Sequence, residues 1–94
     1  MATVVLTFKI MPDGVETDLK KITVQAVKKI REYINSQTSE VRTSEEPIAF
    51  GLCAILITFI DDEKHADCEK IEQFLKTIPG VQNVENTEFK RAIG

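Results

Sequence analysis

Between Thr3 and Met11 the chain alternates: Val4, Leu6, Phe8 and Ile10 fall on one side, Val5, Thr7, Lys9 and Met11 on the other. That is the period of two a half-buried strand requires, with the even positions toward the core. Pro12-Asp13-Gly14 breaks the pattern with turn chemistry, and Thr17 or Asp18 then offers a side-chain oxygen to the free N–H groups of a helix start. On a wheel of about 100° per residue, Leu19, Ile22, Thr23, Ala26, Val27, Ile30, Tyr33 and Ile34 share one arc, and lysines, Arg31 and Glu32 fill the rest. This is the clearest amphipathic helix of the chain. From Asn35 to Glu46 the pattern thins to Ser, Thr and Glu around Val41, a short edge strand that Pro47 ends. Gly51 to Ile60 is apolar almost throughout. Cys53, Ile55, Ile57 and Phe59 form the bulkier parity and are expected inward, against Ala54, Leu56, Thr58 and Ile60. After an acidic turn, Asp61-Asp62-Glu63, a second helix puts Cys68, Ile71, Phe74, Leu75 and Ile78 on one face and stops at Pro79-Gly80. Val81 to Phe89 reads as a last, thinly apolar strand.

The order strand, helix, strand, strand, helix, strand is that of the α+β ferredoxin-like βαββαβ sandwich, with two helices on one face of a four-stranded antiparallel sheet. The 94 residues are expected to form one domain, spanning 1–94. A chain this short, 43% hydrophobic, needs its apolar residues for the core and leaves little room for a deep pocket. The helices cover only one sheet face. The other, carrying Val5, Thr7, Lys9, Leu56, Thr58 and Ile60, is left to water or a partner.

Charge narrows the function classes. Twelve Lys and Arg against fifteen Asp and Glu give a net −3, which does not suit a bulk binder of nucleic acid. The imbalance is uneven: residues 1–43 hold seven basic and five acidic side chains, whereas the later residues are strongly acidic. The apolar run from Ile48 to Ile60 is well short of the roughly 18–20 residues of a membrane span. The N-terminus has neither the basic region nor the cleavage site of an export signal, so a cytoplasmic location is expected, with Cys53 and Cys68 reduced.

This fold hosts many chemistries, so each is tested at its site. A metal carrier would need paired thiolates in the loop after the first strand, and Met11 to Glu16 contains none. An RNA reader would stack bases on aromatics of its central strands, but the outer parity of strand one is Val5, Thr7 and Lys9. His65, near Asp62 and Asp67, reads as a solvated loop residue, because a catalytic dyad also needs a nucleophile and a cleft. Asp61, Asp62, Glu63 and Asp67 lack the spacing of a calcium loop and read as a charged turn with carboxylates at a helix start. The basic arc of the first helix reads as a solvated face or a docking surface. Neither a metal, a cofactor nor a small-molecule substrate is expected.

Two segments stand apart. Pro47 and Gly51 fix a tight connection in which apolar Ile48 and Phe50 occupy positions that turns usually give to polar residues. Phe50 is either an anchor for a partner's pocket or a lid folded on the core. Lys90 and Arg91 form an adjacent cation pair in a tail ending Ala92-Ile93-Gly94, read either as a working charge or as a mobile solubilising end.

The run Glu45-Glu46-Pro47-Ile48-Ala49-Phe50-Gly51-Leu52 closely resembles the archaeal form of the translation elongation factor 1-beta family, a guanine-nucleotide exchange domain of this same βαββαβ order. Met11-Pro12, Asp18-Leu19, Asp61-Asp62 and Gly80-Val81 fit as well. Opening on Met1, the chain is more similar to the short free-standing archaeal factors than to the larger eukaryotic subunits. The resemblance implies nucleotide exchange on the GTPase elongation factor 1-alpha by binding, without covalent chemistry and without a nucleotide site of its own. It implies that Pro47, Ile48, Phe50 and Gly51 meet the GTPase, with the aromatic near its switch region. It also implies that a terminal cation, Lys90 or Arg91, reaches the magnesium and phosphate site. Ala54 and Leu56, on the outer face, are more apolar than the family's usual choices. A ligand-binding regulatory module of similar topology, in which paired domains hold an amino acid, is the alternative reading.

Overall fold

The computed structural model describes residues 3–35 and 40–91. The elements follow the expected order: β1 (Thr3–Pro12), α1 (Leu19–Tyr33), β2 (Val41–Pro47), β3 (Cys53–Asp62), α2 (Cys68–Lys76) and β4 (Val81–Arg91). They form one antiparallel sheet of order β2-β3-β1-β4, the ferredoxin-like arrangement. Residues 36–39 of the expected edge-strand region and the tail 92–94 lie outside the described residues.

The parities hold. Val4, Leu6, Phe8 and Ile10 of β1 are fully buried, and Ile55, Ile57 and Phe59 of β3 are at most 1% exposed. Ile22, Ala26 and Ile30 of α1 and Ile71 and Leu75 of α2 close over them. Each buried side chain of this size contributes roughly 1.5–3 kcal/mol through removal of apolar surface from water. Phe8 and Phe59, diagonal neighbours across the β1–β3 pair, stack with centroids 5.9 Å apart.

The helix ends resolve what the sequence left open. Asp18 is the N-cap of α1, accepting from the backbone N–H groups of Lys20 and Lys21, while Thr17 braces the preceding turn by accepting from Gly14 N–H at 3.2 Å. Asp67 caps α2. That helix ends at Lys76, and Gly80, at φ 91°, turns the chain into β4 while its carbonyl accepts from Asp13 N–H at 2.8 Å. A Cβ at Gly80 would lie 2.9 Å from Thr17 Cγ2, so glycine answers both the backbone angle and the close approach.

Three expectations need correction. Asp61 and Asp62 do not begin a turn: β3 runs through Asp62, paired to the start of β1, and Asp61 continues its inward parity. Ala54 is not exposed on the open face. It is fully buried: Glu46 of β2, its cross-strand partner, reaches diagonally over β3 to Lys9 of β1, the partner of Leu56, at 3.8 Å. Lys90 and Arg91 are not a tail. Both belong to β4, opposite Val5 and Val4 of β1, because the last strand extends two residues past Phe89.

Candidate functional site

The β2–β3 connection carries the exposed aromatic. Ile48 N–H donates to Leu52 O at 2.8 Å and Leu52 N–H to Ala49 O at 3.1 Å, closing a tight loop. Its tip uses two successive left-handed residues, Phe50 at φ 59° and Gly51 at φ 77°. Glycine adopts that conformation freely, whereas for phenylalanine it is an uncommon and costly one. Phe50 is 95% exposed, so it is not a lid on the core. Ile48 is partly exposed beside it. Val15, 64% exposed, belongs to the same patch, since its Cγ1 lies 3.7 Å from where a Cβ on Gly51 would be. Sequence reading passed over Val15, although an aliphatic residue in an otherwise polar turn was the available signal.

Lys90 and Arg91 stand at the other end of the sheet. Arg91 and Asp61 are both level with Val4, whereas Pro47 pairs with Cys53 at the start of β3. Phe50 and the cations are therefore separated by nearly the length of β3, roughly 30 Å at ~3.3 Å per residue. The structure does not bring together the two groups that the resemblance implies at neighbouring sites. The reason is topological: the β2–β3 loop opens β3, while β4 ends beside the close of β3.

The two cations differ. Arg91 shares a sheet side with inward-facing Val4, and its Nη2 donates to Glu63 Oε1 at 2.6 Å. That hydrogen bond, reinforced by the carboxylate's charge, holds the guanidinium protonated more firmly than usual. Lys90, opposite Val5, lies on the open sheet face and has no ion pair among the described residues.

Behind Arg91 lies a polar cluster. Asp61, 9% exposed, faces His65 Nδ1 at 2.9 Å and accepts from Asp62 N–H at 2.8 Å. The His65 ring packs on Tyr33, with centroids 4.6 Å apart, and Tyr33 Oη donates to His65 O at 2.7 Å and accepts from Asp67 N–H at 3.2 Å. His65 is thus a half-exposed brace between β3, α1 and α2, where a freely solvated loop residue was expected. Its acid partner is Asp61 and neither Asp62 nor Asp67, because Asp61 faces inward. Burial pushes the Tyr33 phenol up, helped by the charges of Asp61 and Asp67, with the Asp67 backbone contact opposing. No group of three potential metal ligands occurs among the described residues.

The EF-1 guanine nucleotide exchange domain family matches residues 5–92 of this chain. The chain belongs to that family. Elongation factor 1-beta of Methanothermobacter thermautotrophicus is 36% identical, over 97% of this chain and 98% of that protein. The Aeropyrum pernix protein of the same name is 37% identical over 97% of this chain and 98% of its own length. That of Methanocaldococcus jannaschii is 37% identical over 98% and 100%. Among solved structures, the de novo designed protein Foldit4 superposes with a TM-score of 0.62 at 16% identity, covering 98% of both chains. That likeness speaks to the fold alone, since a designed chain shares it, and the exchange-family assignment rests on the sequence matches. No helix among the described residues is long and apolar enough to cross a membrane.

Proposed function

We infer that this protein accelerates guanine-nucleotide exchange on elongation factor 1-alpha, acting by binding. The observation that carries the reading is Phe50: an aromatic side chain 95% exposed on a closed, left-handed loop tip, within a chain of the exchange-domain family. Leaving such a ring in water has no folding advantage, whereas a pocket on a partner would bury it at little conformational cost because the loop is already fixed. Pro47, Ile48 and Gly51 frame that anchor, and Val15 widens it.

The far end supplies the charge. Magnesium bridges the nucleotide phosphates to a GTPase, so a cation inserted there competes with the metal without reproducing its geometry, and GDP affinity falls. By linkage, nucleotide weakens the exchange factor's own binding by the same factor, which lets incoming GTP release it. Lys90 suits this role, being unpaired among the described residues and a compact point charge, while Arg91 is held by Glu63 and anchors the strand end. With about 30 Å between the ends, Phe50 docks on a part of the GTPase remote from the nucleotide while the β4 end approaches the phosphates.

The test is release of labelled GDP from the cognate elongation factor 1-alpha. Acceleration by catalytic amounts of this protein is expected, and an unchanged release rate at saturating protein overturns the reading.

A further inference from the structure

Both helices have an aspartate cap and a basic residue in the last turn, Arg31 in α1 and Lys76 in α2, but their first turns carry opposite charge. α2 opens on Asp67 with Glu69 in its first turn and closes with Lys76 in its last, which complements the helix dipole. α1 has no acidic residue in its first turn, and Lys20 and Lys21 stand there instead, at the positive end of the dipole. The Asp18 cap is engaged by the backbone N–H groups of both and offsets one of the two charges. Val24, 67% exposed, follows Lys21 by three residues and Lys20 by four, and Lys28 follows Val24 by four. At helical spacing the three ammonium groups border one aliphatic side chain on a single outward face. Among the described residues none of the three lysines has a carboxylate within ion-pair distance. The helix holds five Lys and Arg against a lone Glu32, in a chain whose total is −3.

Folding electrostatics disfavours this arrangement, and the described residues offset it only in part, through the Asp18 cap and through Glu32 one turn beyond Lys28, which leaves the face net positive. An external anion offsets the rest. We propose that this face of α1 docks an acidic polypeptide segment that places an apolar side chain on Val24 between its carboxylates. The apolar centre favours polypeptide over nucleic acid: a phosphate backbone has no use for Val24, no aromatic lies on the face for base stacking, and the remaining surface is acidic. The face lies on the outer side of the helix layer, away from the open sheet face, and includes neither Phe50 nor Lys90. The inference therefore stands apart from the exchange reading, and both surfaces can be occupied together.

The test is an amide-shift NMR titration of the full chain with a short synthetic peptide of Asp and Glu around one central leucine. Shifts are expected to cluster on α1 between Lys20 and Lys28, with affinity falling several-fold between about 0.05 and about 0.3 M salt. The Lys20→Gln, Lys21→Gln, Lys28→Gln triple variant should bind about tenfold or more weakly. Its melting temperature should be at or above the parent's, since unfavourable first-turn charges are gone. A Lys64→Gln, Lys70→Gln, Lys76→Gln control should bind like the parent. Replacing the peptide's leucine by serine should weaken binding to the parent about as much as Val24→Ser weakens binding of the leucine peptide. Equal affinities of parent and triple variant, equal loss in the control, or stronger perturbation of the same amides by an RNA hairpin each overturn the proposal.

Discussion

At the β2–β3 end of the sheet, Phe50, Ile48 and Val15 stand apolar in water on a backbone closed by its own hydrogen bonds and two left-handed residues. At the β4 end, Asp61, His65 and Tyr33 are joined by hydrogen bonds and Glu63 and Arg91 by an ion pair, while Lys90 stands on the opposite, open face of the sheet. The first end is fixed by backbone geometry and offers shape. The second is fixed by side-chain polarity and offers charge. The contrast teaches that one small sheet can hold two surface chemistries apart because each is braced locally, so that a change at one end should leave the other intact.

The strongest break is Asp61→Ala, which removes the buried partner of His65. It should cost about 2–3 kcal/mol of stability by denaturant unfolding, because a buried polar cluster loses its acceptor. Amide shifts of the Phe50 loop should not change. Next, Phe50→Ala should weaken association with the GTPase by about 1.5–2 kcal/mol, more than tenfold in Kd by titration calorimetry, while the unfolding midpoint holds. Lys90→Ala should slow GDP release about fivefold at saturating protein with near-parent affinity, and Arg91→Ala should do so less. Equal effects would show that the Arg91–Glu63 pair does not distinguish the two cations. Last, Tyr33→Phe should cost about 1 kcal/mol through its lost hydrogen bonds. Because the Tyr33 ionisation is raised from an ordinary value of 10.0, the folded state favours the protonated phenol, and stability is lost as pH rises through that raised ionisation. Cys68, raised from 9.0 chiefly by burial, acts in the same direction. Thermal melts across this alkaline range should show a shallower decline in Tyr33→Phe, leaving the part due to Cys68.

The fold was legible because β1, β3 and α1 each repeat one period over many residues, so local pattern and burial agree. Phe50 stands out in the sequence too, as an aromatic between Pro47 and Gly51, although only its 95% exposure in the folded chain rules out a lid on the core. The β4 end was not. Arg91 was read as tail because β4 alternates poorly, with Val84 its one buried side chain, and strand extension there follows from pairing with β1, a contact between distant parts of the chain. Asp61 suggests a turn because a carboxylate on an inward parity argues against a strand, and its contacts with His65 and with the Asp62 backbone N–H make that position tolerable.

The fixed spacing between the two ends gives the molecule the property of a caliper. On the proposed function, a partner that seats either end would meet the other at an effective concentration set by rigid geometry, highest when its two receiving sites lie about 30 Å apart and falling to nothing when they do not. A multidomain GTPase whose domains rearrange would present those sites at the matching separation in one arrangement only. The length of a strand would then select the conformation in which nucleotide leaves, without either end making a contact specific to that conformation.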